Sequence, residues 1–148
     1  METILVLHGP NLNLLGTRQV DVYGLTTLAA IDDSLRELAA ELGVEVDCHQ
    51  SNHEGELLDR LHAARATHAG VLFNFGAYTH TSIALGDALR AIPLPAVEVH
   101  LSNVHAREAF RAHSHTASAA VGVVTGFGAD SYSLGLRALI GYLRRTDG

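Results

Sequence analysis

Two pairs of side chains have the residue types and spacing needed for acid–base chemistry on a small molecule. Glu98 and His100 lie two residues apart in an apolar run, so a strand would point both to the same face. A carboxylate beside an imidazole fixes its tautomer and favours its protonated form, which suits a general acid. Arg18 and Tyr23 share one loop, and a nearby guanidinium lowers the pKa of a phenol enough for it to act as a base. Taken alone, each pair also has a purely structural interpretation. Glu98 and His100 could form a structural pair at a strand end, and Tyr23 could pack on the domain from a surface loop.

Composition limits the chemistry further. The 148 residues include no lysine, which excludes a Schiff-base mechanism and a P-loop lysine, so any carbonyl chemistry must proceed through an enol or enolate. The formal net charge is -6 without a basic block, which disfavours nucleic-acid binding. With one cysteine, Cys48, and no long apolar run, we expect a cytoplasmic protein without disulfides or membrane spans.

The histidines do not indicate a metal site. His105, His113 and His115 follow His100 in a polar stretch, but no metal-binding helix motif accompanies them. We therefore expect neither a metal nor another cofactor. The remaining histidines other than His80 are interpreted as strand-end or helix-surface residues: His8, His49, His53, His62 and His68.

Apolar runs alternate with segments of helical spacing along the whole chain, and we expect a single catalytic domain over residues 1–148. The predicted strands are 4–7, 44–48, 70–75, 96–101 and 120–125. The predicted helices are 27–42, 54–67, 80–90 and 131–144, with a short helix or irregular segment over 104–112. This alternation predicts an α/β three-layer sandwich of the flavodoxin-like type, with a five-stranded parallel sheet in the order 2-1-3-4-5.

In such a fold, ligands bind beyond the carboxyl ends of strands 1 and 3, because the connections after these two strands run to opposite faces of the sheet. Polar residues follow the predicted strands at that edge: Asn11, Asn74, His80, His100 and Ser102. Amides, hydroxyls and imidazoles suit a small polyhydroxylated substrate.

Two further segments could contribute side chains to this edge. Residues 16–24 form a loop longer than usual, bracketed by glycines, and could be a lid that delivers Arg18 and Tyr23. Arg107 and Arg111 lie four apart, so a helix would place them on one face. One of them could bind substrate oxygens there, although a solvated face is the alternative.

Several long motifs occur in order, at 8–16, 50–57, 74–82, 97–105 and 110–114. On these motifs the sequence closely resembles the type II 3-dehydroquinate dehydratases over nearly its whole length. The resemblance implies a flavodoxin-like fold and anti elimination of water from 3-dehydroquinate to give 3-dehydroshikimate. The reaction belongs to the shikimate and quinate pathways and passes through an enolate, with no metal or imine.

The resemblance also implies catalytic roles. Tyr23 is the base that removes the C2 proton, and Arg18 stabilises its phenolate and closes over the site. Asn11 helps to hold a water that stabilises the enolate oxygen. His100, oriented by Glu98, protonates the departing C1 hydroxyl.

Substrate contacts follow from the same resemblance. Ser102 and the backbone amides of Leu101 and Ser102 hold the substrate carboxylate. Asn74, His80 and Arg111 bind the ring hydroxyls. Asp87 reaches the site of a neighbouring subunit in a homo-oligomer, a dodecamer built of trimers.

The sequence departs from the family pattern at two places. Gln19 and Val20 follow Arg18, where the family commonly has glutamate and proline, so we predict a more mobile lid. Phe75 replaces a smaller residue or proline and is expected to narrow the pocket wall.

Three rival functions fit the sequence less well. A flavin- or phosphate-binding module needs a hydroxyl-and-glycine cradle after strand 1, where the chain has 10–13, Pro-Asn-Leu-Asn. A phospho-acceptor domain needs acidic residues at the ends of strands 1 and 3, which carry asparagine and histidine. Retention of Tyr23, Arg18 and His100 disfavours an inactive homologue.

Overall fold

A five-stranded parallel sheet, with its strands in the order 2-1-3-4-5, forms the centre of the protein, as predicted. The computed structural model describes residues 1–17 and 20–146, without the side chains of Val20 and Tyr23. Apolar residues fill the central strands because both faces of a parallel sheet are covered by helices. The strands are β1 Thr3–His8, β2 Glu45–Gln50, β3 Gly70–Asn74, β4 Ala96–His100 and β5 Gly122–Thr125.

Helices cover the two faces of this sheet in separate layers. Residues of the second and fifth helices along the chain pack on one face, and residues of the third and fourth helices pack on the other. This arrangement is the predicted three-layer α/β sandwich. The helices of the described residues are α1 Val20–Tyr23, α2 Leu28–Leu42, α3 Glu54–Ala64, α4 Ile83–Ala91 and α5 Asp130–Thr146.

Local capping explains where α2 begins and ends. Thr27 Oγ1 accepts a hydrogen bond of 3.2 Å from Ala30 N at the amino end. At the carboxyl end Gly43 adopts the left-handed conformation, with φ 75°. The carboxyl end lies where the sequence predicted it, and the helix begins one residue later than predicted because Thr27 is its cap.

Two other helices are shorter than predicted. α3 ends at Ala64 rather than Thr67, because the chain turns there and the N–H groups of Thr67 and His68 both bond to the Ala64 carbonyl. α4 begins at Ile83 rather than at residue 80, because Ser82 Oγ caps it by accepting from Leu85 N at 3.0 Å.

Two irregular segments border the site. Gly76–His80, which precedes α4, is a 3₁₀ helix. The stretch 104–112 consists of two 3₁₀ turns, Val104–Ala106 and Ala109–Ala112.

The loops after β1 and β3 approach each other closely. A Cβ atom on Gly9 would lie 2.4 Å from the carbonyl carbon and oxygen of Phe75, so only glycine fits there. The Phe75 ring is fully buried and stacks on Phe73 at 4.6 Å. The expectation that Phe75 narrows the pocket wall is wrong, because this ring packs in the core beneath α3 and α4.

The topology leaves a crevice between β1 and β3, because the connections that follow these two strands lie on opposite faces of the sheet. The crossover after β1 runs through α2 on one face, and α4 follows β3 on the other. The carboxyl ends of β1 and β3 are therefore open between the two helical layers. Within the described part of the chain, no helix is long and apolar enough to cross a bilayer.

Candidate active site

A pocket occupies this crevice at the carboxyl ends of β1, β3 and β4. It mixes imidazole, amide, hydroxyl and guanidinium groups with a few apolar side chains, a lining that suits a small polar ligand. Eight of the lining residues carry the chemistry considered below: Asn11, Asn74, His80, His100, Leu101, Ser102, Arg107 and Arg111.

Glu98 and His100 both point from β4 toward the α3/α4 face of the sheet, opposite to Val97 and Val99. Glu98 Oε2 lies 2.9 Å from His100 Nε2, and the two residues are 1% and 6% exposed. A carboxylate oxygen can only accept, so Nε2 carries a hydrogen. The carboxylate thereby fixes the imidazole and leaves Nδ1 for a ligand.

Two hydroxyl groups bind the other oxygen of Glu98. Ser114 Oγ donates to Oε1 at 3.0 Å, and Thr116 Oγ1 donates to the same atom. Burial alone would raise the pKa of the Glu98 carboxyl, but hydrogen bonds from His100, Thr116 and Ser114 outweigh burial and hold that pKa below its usual range. Glu98 therefore stays ionised beside the imidazole near neutral pH.

His80 lies next to His100, with 6.3 Å between the ring centroids. Its Nδ1 donates to the carbonyl of His113 at 2.8 Å, which leaves Nε2 as an acceptor in the neutral ring. Burial lowers the pKa of His80, although the bond to His113 opposes the effect. His80 is therefore suited to accept a hydrogen bond from a hydroxyl group.

Asn74 reaches the same pocket from the opposite face of the sheet. Asn74 lies two residues after Leu72 on β3, so the two side chains point to the same face of the sheet. That face is covered by α2 and α5. Gly76 N donates to its Oδ1 at 3.0 Å, which fixes the orientation of the amide. The pocket thus receives His100 from one face of the sheet and Asn74 from the other.

The loop after β1 is held in an unusual conformation. Asn11 has φ 69°, in the left-handed region that asparagine tolerates better than most residues. Its backbone N–H donates to Asn52 Oδ1 at 3.0 Å. Gln50 Nε2 donates to the Gly9 carbonyl at 3.1 Å and to Asn52 Oδ1 at 3.1 Å.

Sequence reasoning gave Gln50 and Asn52 no role, yet they brace the loop that presents Asn11. Their position beside this loop could have been predicted from the strand order. β2 lies next to β1 in that order, so polar residues at its carboxyl end must lie beside the loop after β1.

Two arginines line the pocket from the 3₁₀ turns after β4. Arg107 Nη1 lies 3.3 Å from Ser102 Oγ, and the guanidinium of Arg111 pairs with the Glu108 carboxylate. The segment is not one α-helix, yet both side chains reach the pocket. The Arg107 guanidinium beside the Ser102 hydroxyl favours an anionic ligand group.

One predicted site residue, Asp87, does not line this pocket. Asp87 is exposed on α4, outside the pocket, and its carboxylate is 3.5 Å from Arg90. Arg18 and the side chain of Tyr23 lie outside the described residues, as does the predicted mobility of the lid around Gln19 and Val20.

His8 lies at a strand end, as predicted, where it is fully buried and bonded to Asp32 and Tyr132. These contacts could not be predicted from sequence spacing, because the partners come from distant helices.

In residues 1–17 and 20–146, no cluster of three or more His, Cys, Asp or Glu side chains has the geometry to hold a metal ion. His113 and His115 contact each other edge to face, with centroids 4.8 Å apart.

The family model described as dehydroquinase class II matches residues 2–140. The chain belongs to this family. The resemblance indicated by the sequence motifs is therefore confirmed. This class II dehydroquinase is 58% identical, over 97% of its length and 96% of the relative's, to a protein of Ruegeria pomeroyi named 3-dehydroquinate dehydratase. A protein of the same name from Rhodopseudomonas palustris is 59% identical, over 98% of this chain and 97% of the relative.

A solved structure agrees with the sequence relatives. The type II dehydroquinase from Butyrivibrio crossotus superposes with a TM-score of 0.91 at 38% identity. The match covers 93% of this chain and 97% of that one. The comparison of sequences and the comparison of coordinates thus agree on the family and on the fold.

Proposed function

We propose that this class II dehydroquinase eliminates water from 3-dehydroquinate to form 3-dehydroshikimate in the shikimate pathway. The observation that carries the proposal is the Glu98–His100 pair, buried at the base of a polar pocket at the strand ends. The relatives named 3-dehydroquinate dehydratase supply the substrate, and the pocket supplies groups matched to its carboxylate and hydroxyls.

The substrate is a ring that carries a carboxylate, several hydroxyls and a ketone. Arg107 and Ser102 lie together in the pocket, where Ser102 and the backbone amides of Leu101 and Ser102 bind the carboxylate. Asn74, His80 and Arg111 bind the ring hydroxyls. His80 Nε2 suits this role because Nδ1 is already bonded to His113.

The reaction begins with removal of a proton next to the ketone. The C2–H bond breaks, the proton passes to the Tyr23 phenolate, and the electron pair forms an enolate whose charge rests on the C3 oxygen. Arg18 stabilises the phenolate before the transfer. Asn11, held in its left-handed conformation, positions a water that donates to the enolate oxygen.

The enolate then collapses and expels the C1 hydroxyl. The C1–O bond breaks, a C1=C2 double bond forms, and His100 supplies the proton that releases the group as water. With Nε2 bonded to Glu98, the donating atom is Nδ1. The elimination is anti, so base and acid act on opposite faces of the ring. The Glu98 carboxylate stabilises the imidazolium that precedes this step.

Assembly belongs to the same proposal. We expect a homododecamer built of trimers, acting in the cytoplasm, with Asp87 reaching the site of a neighbouring subunit. The exposure of Asp87 on α4 makes it available for such a contact. Light scattering of the purified protein gives the subunit number, and a monomer would contradict this part of the proposal.

Absorbance tests the reaction, because 3-dehydroshikimate is a conjugated enone and 3-dehydroquinate is not. Purified wild-type protein should raise the enone absorbance with catalytic turnover and without added metal or cofactor. Absence of turnover would overturn the assignment. Tyr23→Phe should lose most of kcat while keeping the fold. A near-normal kcat in that variant would show that another group is the base.

A further inference from the structure

The backbone bends directly after β4, beside the pocket. Successive carbonyl groups of this bend accept hydrogen bonds from one neighbouring segment. Gly126 N donates to His100 O at 3.2 Å, and Gly128 N donates to Leu101 O at 2.9 Å. Both donors belong to the loop 126–129 between β5 and α5. The bend is therefore held through its main chain from the β5 side.

A side-chain hydroxyl holds the next carbonyl of the bend. Thr125 Oγ1, at the end of β5, donates to Ser102 O at 2.9 Å. The same oxygen accepts from Val104 N at 3.4 Å, so the hydroxyl bridges the two ends of the bend. The carbonyls of three consecutive residues, 100–102, thus all have donors at the end of β5 or in the loop after it.

These bonds determine where the amide hydrogens of the bend point. In a trans peptide group, the C=O and the following N–H lie in one plane and point in opposite directions, and the peptide groups of the described residues are trans. The carbonyls of His100 and Leu101 face the β5 side. The N–H groups of Leu101 and Ser102 therefore face the other side, where β3 and the pocket lie.

Two adjacent N–H groups on one side of a bend suit an anion, because both partial positive charges act on the same ligand group. The Ser102 hydroxyl lies beside them, with Arg107 Nη1 at 3.3 Å. A carboxylate has two oxygens and can accept from both amides at once. The direction of the two N–H groups is therefore a determinant of how well the pocket binds a carboxylate.

The start of α5 fixes the loop 126–129 in turn. Gly126 and Gly128 have φ angles of 99° and 62°, in the left-handed region that favours glycine. The buried Ser131 accepts from Phe127 N through Oγ at 3.0 Å. Ser131 N donates to Gly128 O, also at 3.0 Å. The loop thus presents its N–H groups to the bend from a fixed conformation.

We propose that Thr125, together with the loop 126–129, positions the Leu101 and Ser102 amides for binding the substrate carboxylate. The proposal rests on the proposed function, in which these amides bind the carboxylate of 3-dehydroquinate. Thr125 is not among the described residues that line the pocket, so it acts through the peptide groups of the bend. Without its hydroxyl, the Ser102 carbonyl loses a donor and the bend is held less firmly.

Steady-state kinetics with 3-dehydroquinate test this role. Thr125→Val keeps the size of the side chain and removes the hydroxyl, and KM should rise by about threefold to tenfold, the range for one lost hydrogen bond. The kcat value should stay close to that of wild type. The carboxylate keeps its charge throughout the reaction, so it is bound equally in the ground state and the transition state. Thr125→Ser retains the hydroxyl and should restore the wild-type KM.

Thr146→Val is the matched control for this substitution. The Thr146 hydroxyl also donates to main-chain carbonyls, those of Tyr142 and Leu143, but at the carboxyl end of α5. Its KM should equal that of the wild type. A wild-type KM in Thr125→Val, or an equal rise of KM in Thr125→Val and Thr146→Val, would overturn the proposal.

Gly128→Ala acts on the same bend through a different bond. The new Cβ has no heavy atom within 4 Å, but the φ of 62° strains any residue other than glycine, so the bond to Leu101 O should weaken. Gly43→Ala imposes similar strain, at φ 75°, on the carboxyl end of α2 and serves as control. KM should rise in Gly128→Ala alone. If Thr125→Val does not fold, an unchanged KM in Gly128→Ala would overturn the proposal.

A measurement without turnover separates failure of this proposal from failure of the proposed function. The Asn103 amide shares its peptide group with the Ser102 carbonyl. Its ¹⁵N–¹H NMR signal should shift in Thr125→Val, return in Thr125→Ser and stay unchanged in Thr146→Val. If wild-type protein does not convert 3-dehydroquinate, the proposed function fails and this signal alone decides the positioning. An Asn103 signal that is the same in Thr125→Val and wild type would overturn it.

Discussion

Glu98 Oε2 lies 2.9 Å from His100 Nε2, and this contact decides which imidazole nitrogen can act on a ligand. Because Glu98 occupies Nε2, a proton delivered into the pocket must come from Nδ1. Ser114 and Thr116 hold the other oxygen of Glu98, so the carboxylate cannot swing toward the ligand. The contact between Glu98 and His100 therefore orients the imidazole ring.

Glu98→Gln removes the negative charge while keeping the size of the side chain. We expect kcat for 3-dehydroquinate to fall by about 10²–10³-fold with little change in KM. The reason is that an uncharged amide cannot stabilise the imidazolium as the carboxylate does. Asp33→Asn is the control, because Asp33 forms an exposed ion pair with Arg36 on α2. Equal kcat values for Glu98→Gln and wild type would show that the carboxylate has no part in catalysis.

Thr116→Val removes a hydroxyl that donates to the buried Glu98 carboxylate. The free energy of unfolding at pH 7 should fall by about 1–3 kcal/mol, the cost of one lost hydrogen bond to a buried polar group. Chemical denaturation measures it, with the exposed Thr81→Val as control. A variant as stable as wild type at pH 7 would contradict the assigned hydrogen bond.

The difference in unfolding free energy between wild type and Thr116→Val should also depend on pH. The pKa of Glu98 is depressed in the folded state, so its stabilisation is present above the unfolded pKa of about 4.3 and is lost as pH falls through the folded pKa. The gap between wild type and Thr116→Val should therefore be full at pH 7 and shrink below about pH 4. A difference in unfolding free energy that grew as the pH fell would contradict this prediction.

His80 should titrate below the usual histidine range, because burial disfavours its charged form. NMR titration of the ring protons measures this pKa directly. Since the folded pKa is depressed, the stabilisation from neutral His80 is present above about pH 6.5 and is lost as pH falls through the folded pKa. A His80 pKa above the usual histidine value of about 6.5 would contradict the described burial.

Gly9→Ala places a methyl group 2.4 Å from the Phe75 carbonyl. Because backbone on both sides must shift, we expect a loss of about 2 kcal/mol or more in unfolding free energy, with reduced activity as the strand-end loops separate. Gly55→Ala is the matched control, since its new Cβ has no heavy atom within 4 Å, and it should be neutral or stabilising by up to about 1 kcal/mol. Equal stability for the two variants would argue against the close approach.

The fold could be predicted because its signals are local. Apolar runs of strand length and the helical spacing before Gly43 depend on neighbouring residues, and together they determine the sheet order and the crevice. Glu98 and His100 were recognisable for the same reason, since a spacing of two on a strand places them on one face.

Contacts between distant segments were not predictable in this way. His8 bonds to residues 24 and 124 positions away, and no periodicity links them. Ser114 and Thr116 hold Glu98 from an irregular segment, where sequence spacing does not fix direction. The prediction for Phe75 failed because an apolar residue after a strand can turn into the core as readily as into a pocket.

The central claim is that His100, oriented by Glu98, is the acid in the dehydration of 3-dehydroquinate. The most direct test compares kcat of wild type and His100→Ala by the rise in enone absorbance. Wild type should turn over, and the variant should lose about 10²–10⁴-fold in kcat, the usual worth of a positioned general acid. An unreactive wild type, or a His100→Ala variant within a few-fold of wild type, would contradict the account.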